Sequence, residues 1–218
     1  EPVDHHFALT TLFEIMDVAS RSELKSDVLK DLDRQKQLYN SYRGNPAISE
    51  QALDQVIAQL DAHFEAINEQ VGKLSTPAQD GEFLSALRSR SSIPGGTCEF
   101  DLPGYHAWQH TPAERRREDM LRWSASFVPM SQAIHSLMQM LRESGKFQKM
   151  MAVGGQVQQN LPQGRTFQLL RLRIDPSLEA VPEISGNRML VVMRMMRAQE
   201  GRLAPIAEDV PFEMSLCA

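Results

Sequence analysis

The sequence predicts an α+β protein, with an α-helical bundle domain and a small antiparallel β-sheet domain, on three observations. Before Ser92, apolar residues recur every three or four positions, which is the spacing of one helix face. After Phe147, apolar and polar residues alternate over short runs, as in half-buried strands. Between these regions, residues 92–108 contain two prolines and three glycines, which are typical of turns.

Four helices are predicted before Ser92, over residues 9–19, 24–42, 50–71 and 80–90. Ser49 is the expected N-cap of the third helix. Gly72 and the residues 75–77 are expected to end that helix. Arg88 and Arg90 lie at the C-terminal end of the fourth helix, where cations complement the helix dipole.

Residues 92–110, which we call the turn segment, are expected to include a short strand at 97–102. Cys98 and Phe100 are expected to face inward from that strand. Directly after the turn segment, Thr111 and Glu114 have the spacing of a capping box, which predicts the start of a helix.

A further helix is expected from Met130 to Leu141, ended by Gly145. Four strand regions follow, at 147–158, 167–174, 188–197 and 210–216. The region 188–197 has apolar residues on both faces of the strand and is expected to be central in the sheet. Pro211 lacks a backbone N–H, so the last strand is expected either to lie at an edge or to have Pro211 as its first residue. Loops join these strands, so the sheet is predicted to be antiparallel.

These assignments define two domains of one compact protein. The helical domain comprises residues 1–91 and 111–145, and the β-domain comprises residues 92–110 and 146–218.

Composition excludes several classes of protein. The net charge of −5 argues against a nucleic-acid binder, and the arginines at 115–117 point in different directions on a helix. No apolar run approaches the roughly 20 residues needed to span a bilayer. Two cysteines form no disulfide framework, which fits a reducing cytoplasm. The sequence begins without Met or a signal-peptide pattern, so we expect that the native N-terminus is missing from it.

Two functional alternatives remain open on the residues alone. Cys98 and His106 could act as nucleophile and base of a thiol-dependent hydrolase, which would show rapid alkylation of the thiol near neutral pH. The arginine triplet could serve a nucleic-acid adaptor, which would show strongly salt-dependent binding.

His106 and His110 lack further clustered ligands for a metal, and Gly95-Gly96 lacks the context of a phosphate loop. We therefore predict a protein that is not an enzyme, with no catalytic residues, cofactor or metal.

The turn segment also carries a family resemblance. One stretch resembles the signature of the ZapD family of bacterial division-ring proteins, which bind FtsZ. It reads Ser-Ile-Pro-Gly-Gly-Thr-Cys-Glu-Phe-Asp-Leu-Pro from Ser92 to Pro103 and is followed by His106 and Trp108. Further similarities occur in order along nearly the whole chain, at residues 29–35, 87–90, 169–173, 182–186 and 210–217.

The resemblance implies a helical domain and a β-domain assembled as a homodimer, without catalysis or a cofactor. It implies binding to the C-terminal tail of FtsZ, so that the dimer crosslinks and bundles filaments at the midcell division ring in the cytoplasm. Neither nucleic-acid binding nor membrane insertion is expected.

The resemblance also implies a basic site, carried by six residues that we call the basic set. Five match family positions and one, Arg188, replaces a neighbouring lysine; together they are Arg21, Arg88, Arg90, His106, Arg188 and Arg194. Glu82 and Leu190 stand where relatives carry arginine, and basic residues of the family's first helix precede this sequence. The site is therefore expected to be less basic than in those relatives, or shifted.

Overall fold

A computed structural model describes residues 2–70, 80–199 and 201–218 of the chain. The chain divides into two compact units, residues 1–135 and 136–218. The described residues form seven α-helices, followed by seven β-strands. This is the predicted α+β class.

The helices carry the first part of the chain: α1 Pro2–Ala19, α2 Ser22–Asn40, α3 Glu50–Asn68, α4 Gly81–Ser91, α5 Pro103–Gln109, α6 Ala113–Ser124 and α7 Val128–Glu143. The Oγ of Ser49 accepts a hydrogen bond from the Ala52 N–H at 3.3 Å, which confirms the predicted N-cap of α3. The predicted end of this helix, at residues 71–77, lies outside the described residues.

The core of the first unit combines aliphatic residues of α1 and α4 with aromatic residues of α5 and α6. Tyr105, Trp108 and Trp123 are buried together, and the two indole rings lie 5.6 Å apart. Leu9 and Leu84 are each 1% exposed beside them. The apolar stripes that predict α1 and α4 therefore face one common core.

Each buried indole N–H has a carboxylate acceptor. The Nε1 of Trp108 donates to Asp119 at 3.0 Å, and the Nε1 of Trp123 donates to Asp80 at 2.9 Å. Arg122 lies beside both carboxylates, with its Nη2 at 2.9 Å from Asp80 and 2.8 Å from Asp119. The charges of the acids are thus compensated where they enter the core.

The second unit contains β1 Gln148–Ala152, β2 Gln156–Asn160, β3 Leu169–Arg173, β4 Val181–Gly186, β5 Leu190–Gln199, β6 Arg202–Pro205 and β7 Val210–Cys217. One sheet has the order β1-β7-β3, and the other has the order β2-β5-β4 with β6 also on β5. All pairings are antiparallel, as predicted. Residues of both sheets share one core, in which Met193 and Met195 are completely buried.

The strand β7 is central in its sheet, so of the two predicted placements the edge position is wrong for most of its length, whereas Pro211 does lie near the start of the strand, at its second residue. Its register explains how Pro211 is tolerated. The strand β1 pairs with residues 210–214, whereas β3 pairs only with residues 213–217. At Pro211 the strand therefore has a neighbour on one side only, and the missing N–H costs no ladder hydrogen bond on the other.

Gly154 and Gly155 interrupt the predicted strand region 147–158 and divide it between the two sheets. Both have positive φ, +55° and +72°. A Cβ on Gly155 would lie 1.9 Å from the carbonyl oxygen of Ile206, so no larger residue fits this crossing without moving the backbone.

The turn segment differs from its prediction. Residues 92–102 form turns with local hydrogen bonds, such as Leu102 N–H to Cys98 O at 3.0 Å, and α5 follows. The predicted strand at 97–102 is wrong, because these local bonds and Pro103 at the start of a helix favour turns over pairing. The segment is predicted to belong to the β-domain, whereas in the structure it lies within the first unit.

Two side-chain predictions in this region are also wrong. Cys98 is exposed, and Phe100 is 91% exposed, so neither packs inward. The predicted capping box does not form, because the hydroxyl of Thr111 donates to the Trp108 carbonyl and α6 begins only at Ala113.

The Asp80 carboxylate predicts a pH dependence of stability. Partial burial raises its pKa, but hydrogen bonds from Trp123 and Arg122 outweigh burial and lower the pKa overall. A carboxyl with a lowered pKa in the folded state stabilises the protein above its unfolded pKa, and this is lost as the pH falls through the folded value. We expect Asp80→Asn to lower the free energy of unfolding at pH 7 by about 1–2 kcal/mol.

Urea unfolding followed by tryptophan fluorescence at pH 7 and at lower pH measures this effect. The variant should lose less stability than the wild type on acidification. Asp27→Asn, which removes an exposed partner of Lys30, is the control and should change stability by less than about 0.5 kcal/mol. Equal pH dependence of Asp80→Asn and wild type would refute the assignment.

Candidate functional site: exposed cations of the two units

Three members of the basic set in the first unit have acidic partners. The Arg88 guanidinium donates to the Asp17 carboxylate, which joins α4 to α1. The Nη1 of Arg90 lies 4.0 Å from Asp101 in the turn segment. An anionic partner would compete with these carboxylates for the arginines.

His106 has the same arrangement on α5. Its Nδ1 lies 3.5 Å from the Glu99 carboxylate, and its ring centroid lies 4.3 Å from that of His110. The side chain is 44% exposed. His106 is therefore accessible and bordered by an acidic residue of the turn segment.

Arg21 differs from these residues, because it is exposed and no carboxylate of the described ranges pairs with it. It occupies the N-cap position of α2 with extended backbone angles and makes no side-chain capping bond. Its guanidinium is thus available to an external anion.

Two members of the basic set lie in the second unit. Arg188 is exposed in the turn between β4 and β5, where the Asn187 side chain accepts from the N–H groups of Met189 and Leu190. Arg194 is exposed on β5, and the strand register places Glu183 and Gln156 beside it.

The positions that depart from the family pattern have structural roles of their own. Glu82 is exposed in the first turn of α4, where an acidic side chain favours the helix dipole. Leu190 is half-buried at the start of β5, opposite Asn160. Neither position adds a cation to the exposed surface.

Sequence analysis did not single out Arg165. It lies in the loop that joins β2 to β3, with its guanidinium carbon 5.4 Å from the centroid of the Phe167 ring. The same loop and Arg188 line one cleft. The sequence feature that could have indicated Arg165 is a cation two residues before an aromatic side chain in a loop. By itself this feature is weak evidence for a binding site.

Neither alternative function gains support from the geometry. The Cys98 thiol donates to Asp101 at 3.4 Å, and a carboxylate is not the cationic neighbour that activates a nucleophilic cysteine. In the arginine triplet, Arg116 is buried and bonds to carbonyl groups, while Arg115 lies 3.7 Å from Asp119. The triplet is therefore no continuous basic patch.

The described part of the chain contains neither a candidate metal site nor a candidate membrane span. No group of three or more His, Cys, Asp or Glu residues there has the arrangement of a metal site. Likewise, no helix among those residues is both long enough and apolar enough to cross a bilayer.

Comparison with known proteins identifies the family. The profile of the ZapD family, described as a cell division protein, matches residues 1–194. A protein of Ralstonia pickettii named cell division protein ZapD is 48% identical over 219 residues, which cover 99% of this chain and 86% of the relative. The chain belongs to the ZapD family.

Two further ZapD proteins have the same coverage of 99% of this chain and 86% of their own length. The protein of Cupriavidus pinatubonensis is 46% identical, and that of Ralstonia nicotianae is 48% identical. Membership of the ZapD family makes this chain a cell-division protein, and it confirms the resemblance drawn from the turn segment.

The different burial of the two cysteines predicts their accessibility. Cys98 is exposed, whereas Cys217 is completely buried beside Ser215. In the folded protein, Ellman's reagent should react with one thiol per chain, and Cys98→Ser should react with none until urea is added. Cys217→Ser serves as the control and should still release one equivalent. Two reactive thiols in the folded wild type would contradict the structure.

Proposed function

We propose that this ZapD-family protein binds the C-terminal tail of FtsZ and, as a homodimer, crosslinks FtsZ filaments into bundles. On this proposal it acts in the cytoplasm at the midcell division ring, without catalysis. The observation that carries the proposal is the match of 99% of the chain to curated cell-division proteins of one family. The exposed cations supply a chemistry for it.

A flexible tail with acidic and apolar groups suits these cations. A guanidinium presents a planar fork of N–H donors that pairs with a carboxylate through two hydrogen bonds. Arg21 and Arg188 are exposed and lack a carboxylate partner among the described residues, so they can form such pairs without first breaking another. Arg88, Arg90 and His106 must exchange an internal partner for the tail.

The distribution of charge favours the same partner. The whole chain has a net charge of −5, yet residues 136–218 contain ten Lys and Arg against eight Asp and Glu. An acidic segment is therefore repelled by much of the first unit and attracted by the second. Attraction of an acidic tail to the second unit therefore requires no high overall positive charge.

A dimer gives the proposal its strength. One tail would bind weakly, because a disordered segment loses conformational entropy when it becomes ordered. A filament presents many tails, and a dimer with two sites engages a second tail at a high effective concentration. Bundling follows when the two tails belong to different filaments.

Co-sedimentation with FtsZ filaments tests this function. The wild type should pellet with filaments of full-length FtsZ and stay in solution with filaments that lack the tail. Arg21→Glu and Arg194→Glu should abolish bundling, measured by light scattering, with almost no change in melting temperature, because both side chains are exposed. Arg34→Glu is the matched control on α2, where the arginine is 66% exposed and pairs with Asp31.

Equal pelleting with filaments that lack the tail would refute tail binding. Loss of bundling by the Arg34→Glu control would show that overall charge, rather than the basic set, is responsible. A large fall in melting temperature for Arg21→Glu would reassign that arginine to a structural role.

A further inference from the structure

The second unit contains a cleft at one end of its two sheets. The loop 161–168 crosses from β2 in one sheet to β3 in the other, and it forms one wall of this cleft. Hydrogen bonds fix both ends of the loop, from Leu161 N–H to Met189 O at 2.7 Å and from Gln168 N–H to Cys217 O at 2.9 Å. The cleft has a volume of 920 Å³, which is large enough for several side chains of a peptide.

The charge of this cleft is one-sided. Arg165 lies on the loop wall and Arg188 on the opposite turn, and the described lining residues include no carboxylate. Within the described ranges, neither guanidinium forms an ion pair with an acidic residue. A second cleft of 300 Å³ shares Arg165 and Phe167 with the first and adds Lys146, again with no carboxylate among the lining residues described.

The floor of the cleft is apolar. Leu170, Val191 and Leu216 come from three strands of the two sheets, and Phe167 stands beside them. The Arg165 guanidinium lies near the face of the Phe167 ring, so the ring supports the cation and leaves its N–H groups free for an anion. Anion recognition and an apolar pocket thus occur side by side.

From this arrangement we infer that the cleft binds a linear peptide segment in which a carboxylate lies next to a bulky apolar side chain. Arg165 and Arg188 hold the carboxylate, and the apolar floor takes the neighbouring side chain. The inference rests on the proposed function and deepens it, because it assigns the FtsZ tail to this cleft and adds Arg165 to the residues that bind it.

The chemistry favours a peptide over a nucleic acid. Nucleic-acid surfaces neutralise successive phosphates with an extended row of cations. Here two cations, Arg165 and Arg188, border a short apolar floor, which matches one or two acidic groups beside an aliphatic or aromatic residue.

Fluorescence anisotropy with a labelled peptide of the FtsZ C-terminal tail tests the inference. Arg165→Glu and Arg188→Glu should each weaken binding by about tenfold or more, because each change removes charge-assisted hydrogen bonds to the carboxylate and adds a repelling negative charge. Arg202→Glu is the matched control, because Arg202 pairs with Gln199 at the far end of β5, roughly 25 Å along the strand from Val191. It should leave the affinity within about twofold of wild type.

A charge exchange separates contact from structural damage. A tail peptide whose acidic residues are replaced by lysine should bind the double variant Arg165→Glu, Arg188→Glu more tightly than it binds the wild type. Unchanged melting curves of the single variants are expected, because both arginines are exposed and unpaired in the described structure.

The outcomes distinguish the two proposals. If the wild type binds the tail and both Arg165→Glu and Arg188→Glu bind it equally well, the cleft is not the binding site. FtsZ binding itself would then stand. An equal loss of affinity in Arg202→Glu would also contradict the assignment to the cleft and would indicate diffuse electrostatic attraction instead. Displacement of the peptide by single-stranded DNA of equal charge would contradict the assignment in the same way. If the wild type fails to bind the tail, the proposed function fails and the cleft assignment fails with it.

Discussion

The helical unit depends on the need of two buried indole N–H groups for acceptors. Trp108 and Trp123 lie in the centre of the aromatic core, and each finds a carboxylate, on Asp119 and on Asp80. A buried donor without a partner would cost about 1–3 kcal/mol, so this pairing constrains how α4, α5 and α6 pack. Arg122 lies beside both acids, and Arg115 adds a second positive charge 3.7 Å from Asp119. The position of α5 in turn determines where the turn segment presents His106.

Internal pairing divides the exposed cations into two groups. Arg88, Arg90 and His106 are bordered by Asp17, Asp101 and Glu99, so an external anion competes with an internal carboxylate for each of them. Arg21, Arg165 and Arg188 have no such neighbour among the residues described. An acidic ligand gains most from the second group, because it displaces no existing pair. On the proposed function, recognition of an acidic tail is therefore expected to depend on which cations are unpaired rather than on how many there are.

Much of the fold follows from sequence periodicity, because long segments bury one regular face. The helices α1 to α4 and the central strand β5 could be predicted in this way. The turn segment could not, because its eleven residues before α5 have no periodic pattern and their hydrogen bonds are local. An inward Cys98 was inferred from residue type alone, and the turns instead leave it exposed.

The candidate site shows a sharper limit. Family resemblance indicated which cations to consider, but only the folded chain shows their partners: Asp17 and Arg88 are 71 positions apart in sequence. Similarly, Arg165 and Arg188 line one cleft because two sheets end at the same place, which no local pattern encodes. Charge pairing across the fold is a tertiary property, so sequence can name its candidates but not select among them.

Bivalent binding of FtsZ tails is the central claim, and sedimentation velocity measures it directly. The FtsZ tail would be fused to a monomeric carrier protein and titrated into this ZapD-family protein. If the protein is a bivalent dimer, the complex should have the mass of two copies of this chain and two carriers. A complex of one chain with one carrier at all concentrations, or a dimer that binds no carrier, would contradict the central claim.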